Sequence, residues 1–297
     1  MTANSGEIAA FATACCWSVS SLAFEQASKR LGSLAVNVIR LVFAFGFLAI
    51  LNYFRRGLII PSDASDFQWQ WLFLSGIVGF VAGDLLLLKT YMLIGSRIAM
   101  LLMTLVPAFT ALISWVFLGE ILGWSELAGM TVTFGGIFLV LWFRRRKTPE
   151  PEKRNPLGYL YGVGAALGQA AGLILSKYGM GDYDAFAATQ IRIIAGFGGC
   201  MALIFVMRKT HYIFQALRDS RGLSFTLLGS VFGPFLGVSL SLYAVQHALA
   251  GVASTIMAIV PVLIIIPSVL LLKEKVTLRE VIGAVISVGG VAVLLLI

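Results

Sequence analysis

Four charged side chains stand inside long apolar stretches where no loop accounts for them: Arg40, Asp84, Lys89 and Arg192. An unpaired charge near the middle of a bilayer costs about 2.5–3.5 kcal/mol even on the lenient insertion scale, so each needs a partner or a wet cavity. Asp84 is the most central of them. It either neutralises Arg40 or Lys89, or carries a coupling proton, or holds a substrate ammonium. A pair with Lys89 on one helix is unfavourable, because five residues of helix set the two about 140° apart. Tyr91, seven residues after Asp84, falls about 20° from it and shares its face. Arg40 and Arg192 lie near the starts of their stretches. Their heads either snorkel to the interface or form a matched pair of anion-binding or gating positions.

Neutral polar residues gather at helical spacing. Ser239, Tyr243, Gln246 and His247 form one stripe, Gln169 and Ser176 a second, and Ser18, Ser21 and Glu25 a third, with Trp17 close in phase to Ser21. Such faces imply a shared hydrated cavity, in which Trp17 is an aromatic platform unless it faces lipid. The substrate-cavity set is therefore Trp17, Arg40, Asp84, Tyr91, Gln169, Arg192, Ser239, Tyr243 and Gln246. A cavity holding Arg40, Arg192 and Asp84 suits a zwitterion such as an amino acid. His247 ends its stretch, as either a terminal histidine or a proton carrier. A competing function, an intramembrane or lipid-modifying enzyme, requires Asp84 and His247 within hydrogen-bond reach of each other.

Helices must position these groups. Apolar residues make up 59% of the 297 and charged residues 12%, with a mean hydropathy of +0.93. Soluble domains carry about 25% charge. Stretches long enough to cross hydrocarbon fall at 7–24, 34–54, 70–94, 97–118, 124–143, 157–177, 185–207, 223–246, 250–272 and 278–297. They predict an all-α integral membrane fold of ten transmembrane helices in the plasma membrane, which is the inner membrane if the source is bacterial. Barrel strands are excluded, being shorter and alternating in polarity. The net charge of +8 sits in inter-helix loops, so nucleic acid is not an expected partner. Cys15, Cys16 and Cys200 show no metal-ligand spacing, and no nucleotide-binding or metalloprotease motif is present. No cofactor or metal is expected. The first segment lacks a basic leader, which predicts an uncleaved first span.

The chain is written twice. Pro107 to Gly136 returns as Pro261 to Gly290, with Glu120 and Glu274, Gly129 and Gly283, and the pairs Gly135-Gly136 and Gly289-Gly290 in step. Ile39-Arg40 and Ile191-Arg192 match at a spacing of 152 (192 less 40). A basic linker, residues 144–156, divides a first repeat, 1–143, from a second, 157–297. Five helices per half is odd, so the halves must cross the membrane in opposite senses, as two inverted five-helix repeats. Most Lys and Arg fall on the linker side; Arg55, Arg56 and Lys177 fall on the other. The positive-inside rule then places the linker inside and the termini outside. Glycines recurring every four residues, as in Gly164, Gly168 and Gly172 or Gly229, Gly233 and Gly237, allow close helix approach. Pro107 and Pro261 fall about ten residues into their stretches and are expected to kink them. Glu120 and Glu274 are expected to cap helix ends.

The ten-helix layout and the blocks Pro107…Leu118-Gly119-Glu120 and Pro261…Leu272-Lys273-Glu274, each followed by a Gly-Gly pair, resemble the EamA-type members of the drug/metabolite transporter superfamily. The resemblance covers nearly the whole chain. It implies a secondary carrier of amino acids or related small metabolites, usually an exporter, with alternating access through a cavity between the halves. A small-molecule substrate, the lipid bilayer and a coupling proton or ion are the implied partners, and the carrier works as a monomer or homodimer. The family pattern has a glutamate before the proline, where this chain has Val106 and Val260, so no coupling carboxylate carries over. It also places both termini in the cytoplasm, opposite to the charge count.

Overall fold

The structure, a computed structural model, describes residues 4–145, 156–208, 210–264 and 278–296. All regular elements among them are helical. Helix α1 (Ser5–Leu31) meets α2 (Ser33–Arg56) at Gly32, whose φ of 80° is open only to a residue without a Cβ at little cost. The third element is α3 (Asp66–Gly76), a π turn over Ile77–Gly83, and α4 (Asp84–Met103). Then come α5 (Val106–Leu118) and α6 (Trp124–Arg145). The second half repeats this order: α7 (Pro156–Met180), α8 (Ala185–Val206), a short α9 (Thr210–Ala216), then α10 (Ser220–Ser230), a π turn over Val231–Phe235 and α11 (Leu236–His247). It closes with α12 (Ala250–Met257), α13 (Val260–Leu263) and α14 (Leu278–Leu296).

Six of these helical segments are long and apolar enough to cross a membrane, and Val106–Leu118, Ala250–Leu263 and Val281–Leu294 are shorter apolar ones. The count of ten is therefore not reproduced span by span. Where a break between 94 and 97 was expected, helical backbone carries on to Met103. The chain nonetheless turns back there. Ile94 packs on Gly158 and Leu102 on Gly162, while Leu86 packs on Gly164. A straight rod would carry Leu102 about 12 Å past Ile94, at about 1.5 Å per residue, instead of back along α7.

The halves pack crosswise. α7, the first helix of the second half, runs against α3, the π turn and α4; α1 does the same against α10, its π turn and α11. A Cβ on Gly168 would come within 3.0 Å of the Gly83 Cα, and one on Gly172 within 3.1 Å of the Gly79 Cα. The fifth helices, α6 and α14, also meet backbone to backbone. A Cβ on Gly136 would lie 2.2 Å from the Ser287 nitrogen, and one on Gly290 2.5 Å from the Thr133 nitrogen, whereas Gly135 and Gly289 face open space. Each Gly-Gly pair thus contributes one packed glycine.

The prolines act otherwise than by bending a rod. The chain breaks at Thr104–Leu105 and Ala258–Ile259, and Pro107 and Pro261 stand in the first turn of the helix that follows. There the missing N–H has no bond to lose.

Candidate functional site

Both proline breaks face one cavity of about 210 Å³. Its wall takes Met103, Thr104 and Val106 from the first break, Met257, Ala258, Val260 and Pro261 from the second, Trp17, Ser20, Ser21 and Phe24 from α1, and Gly233 and Pro234 from the second π turn. Arg40, Asp84, Gln169 and Arg192 also line it. Five of the nine expected cavity residues therefore meet there: Trp17, Arg40, Asp84, Gln169 and Arg192.

Asp84 opens α4, directly after the π turn, and is buried. Its Oδ2 pairs with Arg40 Nη2, and its Oδ1 accepts from Gln169 Nε2 at 2.6 Å. Arg40 Nε donates to Asn37 Oδ1 at 2.8 Å. Asn37 in turn donates to the Phe80 carbonyl at 3.0 Å, inside the π turn, where the widened hydrogen-bond pattern releases a backbone acceptor. The Arg40 guanidinium also lies over the Phe24 ring at 5.2 Å. Asp84 thus neutralises Arg40, and Lys89 instead lies over the Tyr161 ring at 5.4 Å.

Arg192 differs. It is 5% exposed, stacks over Phe80 at 5.1 Å, and its Nε finds no hydrogen-bond acceptor. Among the described residues no carboxylate pairs with it.

The other expected residues lie elsewhere. Gln246 Nε2 donates to the carbonyls of Gly181 at 2.6 Å and Tyr183 at 3.0 Å. Tyr243 stacks on His247 with ring centres 4.1 Å apart, and Ser239 is buried with no partner for its hydroxyl among the described residues. The side chain of Tyr91 and all of Glu274 lie outside the described residues. Asp84 and His247 share no site: the Asp84 oxygens are engaged by Arg40 and Gln169, and His247 Nδ1 lies 2.9 Å from the Tyr243 carbonyl.

Outlying groups tie the two halves together at the end where α1 begins. Glu120 Oε2 accepts from the Ala250 N–H at 2.8 Å, capping α12 of the opposite half, and its Oε1 pairs with Lys177 Nζ at 2.5 Å. Lys177 also donates to the Ala248 carbonyl at 2.8 Å. The Tyr183 hydroxyl donates to Asp63 Oδ1 at 2.9 Å, and Arg56 pairs with Asp63. Burial pushes the Tyr183 phenol up to about 12, against the opposing pull of Arg56. Arg55 reaches Asp184 Oδ2 at 3.2 Å. The start of α1 belongs to this end, since Gly6 packs on His247 and Ala248, and so does the end of α14, where Leu294 packs on Gly129. At the linker end, Arg30 Nε meets Asp219 Oδ2 at 2.8 Å.

The model of the EamA-like transporter family matches residues 4–142 and 156–296, once for each half. The chain belongs to the EamA-like transporter family. It is a membrane transporter of the drug/metabolite type, with one EamA unit on either side of the linker. A curated relative, an uncharacterized transporter of Archaeoglobus fulgidus, is 22% identical over 287 residues, 93% of each chain. A solved protein crystal structure superposes with a TM-score of 0.75, covering 98% of this chain and 96% of that one at 19% identity. At that identity the likeness concerns the fold alone. For an EamA-like protein the repeated scaffold is thus accounted for, and family and relative point to transport and not to an enzyme. Other residues of the site escaped the polar-residue reading. Phe24 and Phe80 carry no polar signal. Asn37 does, three residues before Arg40 and on the same helix face.

Proposed function

We propose that this protein is a secondary carrier that exports small metabolites, amino acids or related amphipathic compounds, by alternating access through the cavity between its two halves. The observation that carries the reading is the buried Arg40, Asp84, Gln169 and Arg192 group, contributed by both halves to a cavity that both proline breaks line. Charges held at this depth are costly and mark a path for polar cargo. The cross-half network of Glu120, Lys177, Tyr183 and Gln246 supports a conformation closed at the termini side. With the basic linker in the cytoplasm, as the charge distribution favours, the open phase of this conformation would face the cell interior. Loading would then precede export.

The test is efflux from proteoliposomes preloaded with a radiolabelled amino-acid mixture. Protein-dependent efflux that Asp84→Asn or Arg40→Gln abolishes, with the folded protein still monodisperse, supports the reading. Unchanged efflux in both variants removes the cavity assignment.

A further inference from the structure

Arg40 and Arg192 contribute two positive charges to the cavity wall and Asp84 one negative charge, which leaves one positive charge over. That charge has an address. Arg40 is held by Asp84 and Asn37, and the Asp84 oxygens accept from Arg40 and Gln169. Arg192, nine-tenths buried and on the cavity wall, makes no ion pair and has no acceptor for its Nε among the described residues, and the Asp84 charge that acts on it is already paired with Arg40. Burying a cation without a partner costs several kcal/mol, and an anion that fills the cavity removes that cost. The four serine hydroxyls on the wall do not compete for this role, because Ser20, Ser21, Ser241 and Ser254 donate to carbonyls of their own helices. An ammonium group, by contrast, meets a carboxylate already occupied.

We propose that Arg192 is the anchor of the substrate site and that the cavity takes a compact organic anion, its charged head on the Arg192 guanidinium and its apolar body against Trp17, Phe24 and Met257. This rests on the carrier reading above and narrows its substrate class from zwitterions to anions. Asp84 becomes the fixed counter-ion of Arg40 and not a cargo contact.

Three probes share one branched tail and differ in charge: isopentyl sulfonate, leucine and isopentylamine. Each is added to purified protein in nanodiscs, and the thermal midpoint is followed, since a ligand of the folded state raises it. The expected order of protection is sulfonate, then leucine, with none from the amine. Arg192→Gln should weaken sulfonate protection at least tenfold, while Arg192→Lys keeps the charge and part of the effect. Should Arg192→Gln fail to fold, the order on the wild-type protein decides. Protection by the amine equal to that by the sulfonate overturns the proposal, as does absence of sulfonate protection in the millimolar range or undiminished protection in Arg192→Gln. Proteoliposomes preloaded with labelled probes separate the two readings. Sulfonate that protects but does not cross leaves the anion site standing and removes the carrier. Leucine that crosses where sulfonate neither binds nor crosses keeps the carrier and removes the anion site.

Discussion

Arg40 and Arg192 occupy matching positions in the two halves and share the Phe80 ring, but their polar surroundings have diverged. Around Arg40 stand Asp84, Asn37 and, through Asp84, Gln169. At a spacing of 152 the counterparts of these helpers are Leu236, Thr189 and Trp17. Leucine offers no charge, Thr189 spends its hydroxyl on the Ala185 carbonyl at 2.8 Å, and Trp17 offers an aromatic wall. One arginine is a structural post and the other an open positive charge. The scaffold, meanwhile, has stayed symmetric: both third elements carry a π turn, both prolines follow a break, and both Gly-Gly pairs pack through their second glycine. Duplication preserved what holds the backbone and released what lines the cavity.

The sharpest way to break the comparison is to make the two arginines alike. Asp84→Asn strips Arg40 of its counter-ion and should cost about 3–5 kcal/mol, the usual penalty for leaving one partner of a buried pair alone, seen as a large drop in thermal midpoint. Adding Arg40→Gln to it should recover much of the loss. A double variant no more stable than Asp84→Asn would mean that the pair does not carry Arg40. The scaffold symmetry is tested next. Gly136→Val drives a side chain into the Ser287 backbone and should destabilise by about 1–3 kcal/mol or more, as overpacking does, and Gly290→Val should match it. Gly135→Ala and Gly289→Ala should change stability by no more than about 0.5 kcal/mol. Equal damage from both members of a pair would refute the one-sided packing. The smallest effect belongs to the closed end. Tyr183 titrates at about 12 in the fold, raised first by burial, against about 10 unfolded. Its stabilising protonated form is fully present below pH ~10, and its contribution is lost as pH rises through ~12. Tyr183→Phe should remove that alkaline component from a stability-against-pH curve and leave the slope of the curve near neutrality unchanged, its level lowered by about 1 kcal/mol for the lost hydrogen bond to Asp63.

Much of the scaffold was legible in the sequence because its requirements are local. A glycine that meets a backbone leaves no room for a side chain, and a proline is favoured where a helix opens, so both survive duplication as visible repeats. Arg40, Asp84, Gln169 and Arg192 were legible as a cavity group because charge and amide at membrane depth need explanation from sequence alone. Their partnership was not. Whether Asp84 served Arg40, Lys89 or a substrate depended on which helices crossed, and Arg40 and Asp84 meet only because α2 and α4 approach next to a π turn that no residue pattern announces. Tyr243 and Gln246 misled for the same reason. Their spacing defined a face of α11 correctly, but that face runs toward the closing network and not into the cavity.

The crosswise packing bears on how the chain is made. A ribosome delivers α1 to α6 before any residue of α7 exists, so the groove along α3, its π turn and α4 enters the bilayer without the helix that fills it, and Asp84 without Gln169. The first half is therefore a nascent intermediate that waits with an open groove, and the bond that completes its charged centre arrives only with the second half. The cavity thus acquires its full set of charges only when the two halves interlock.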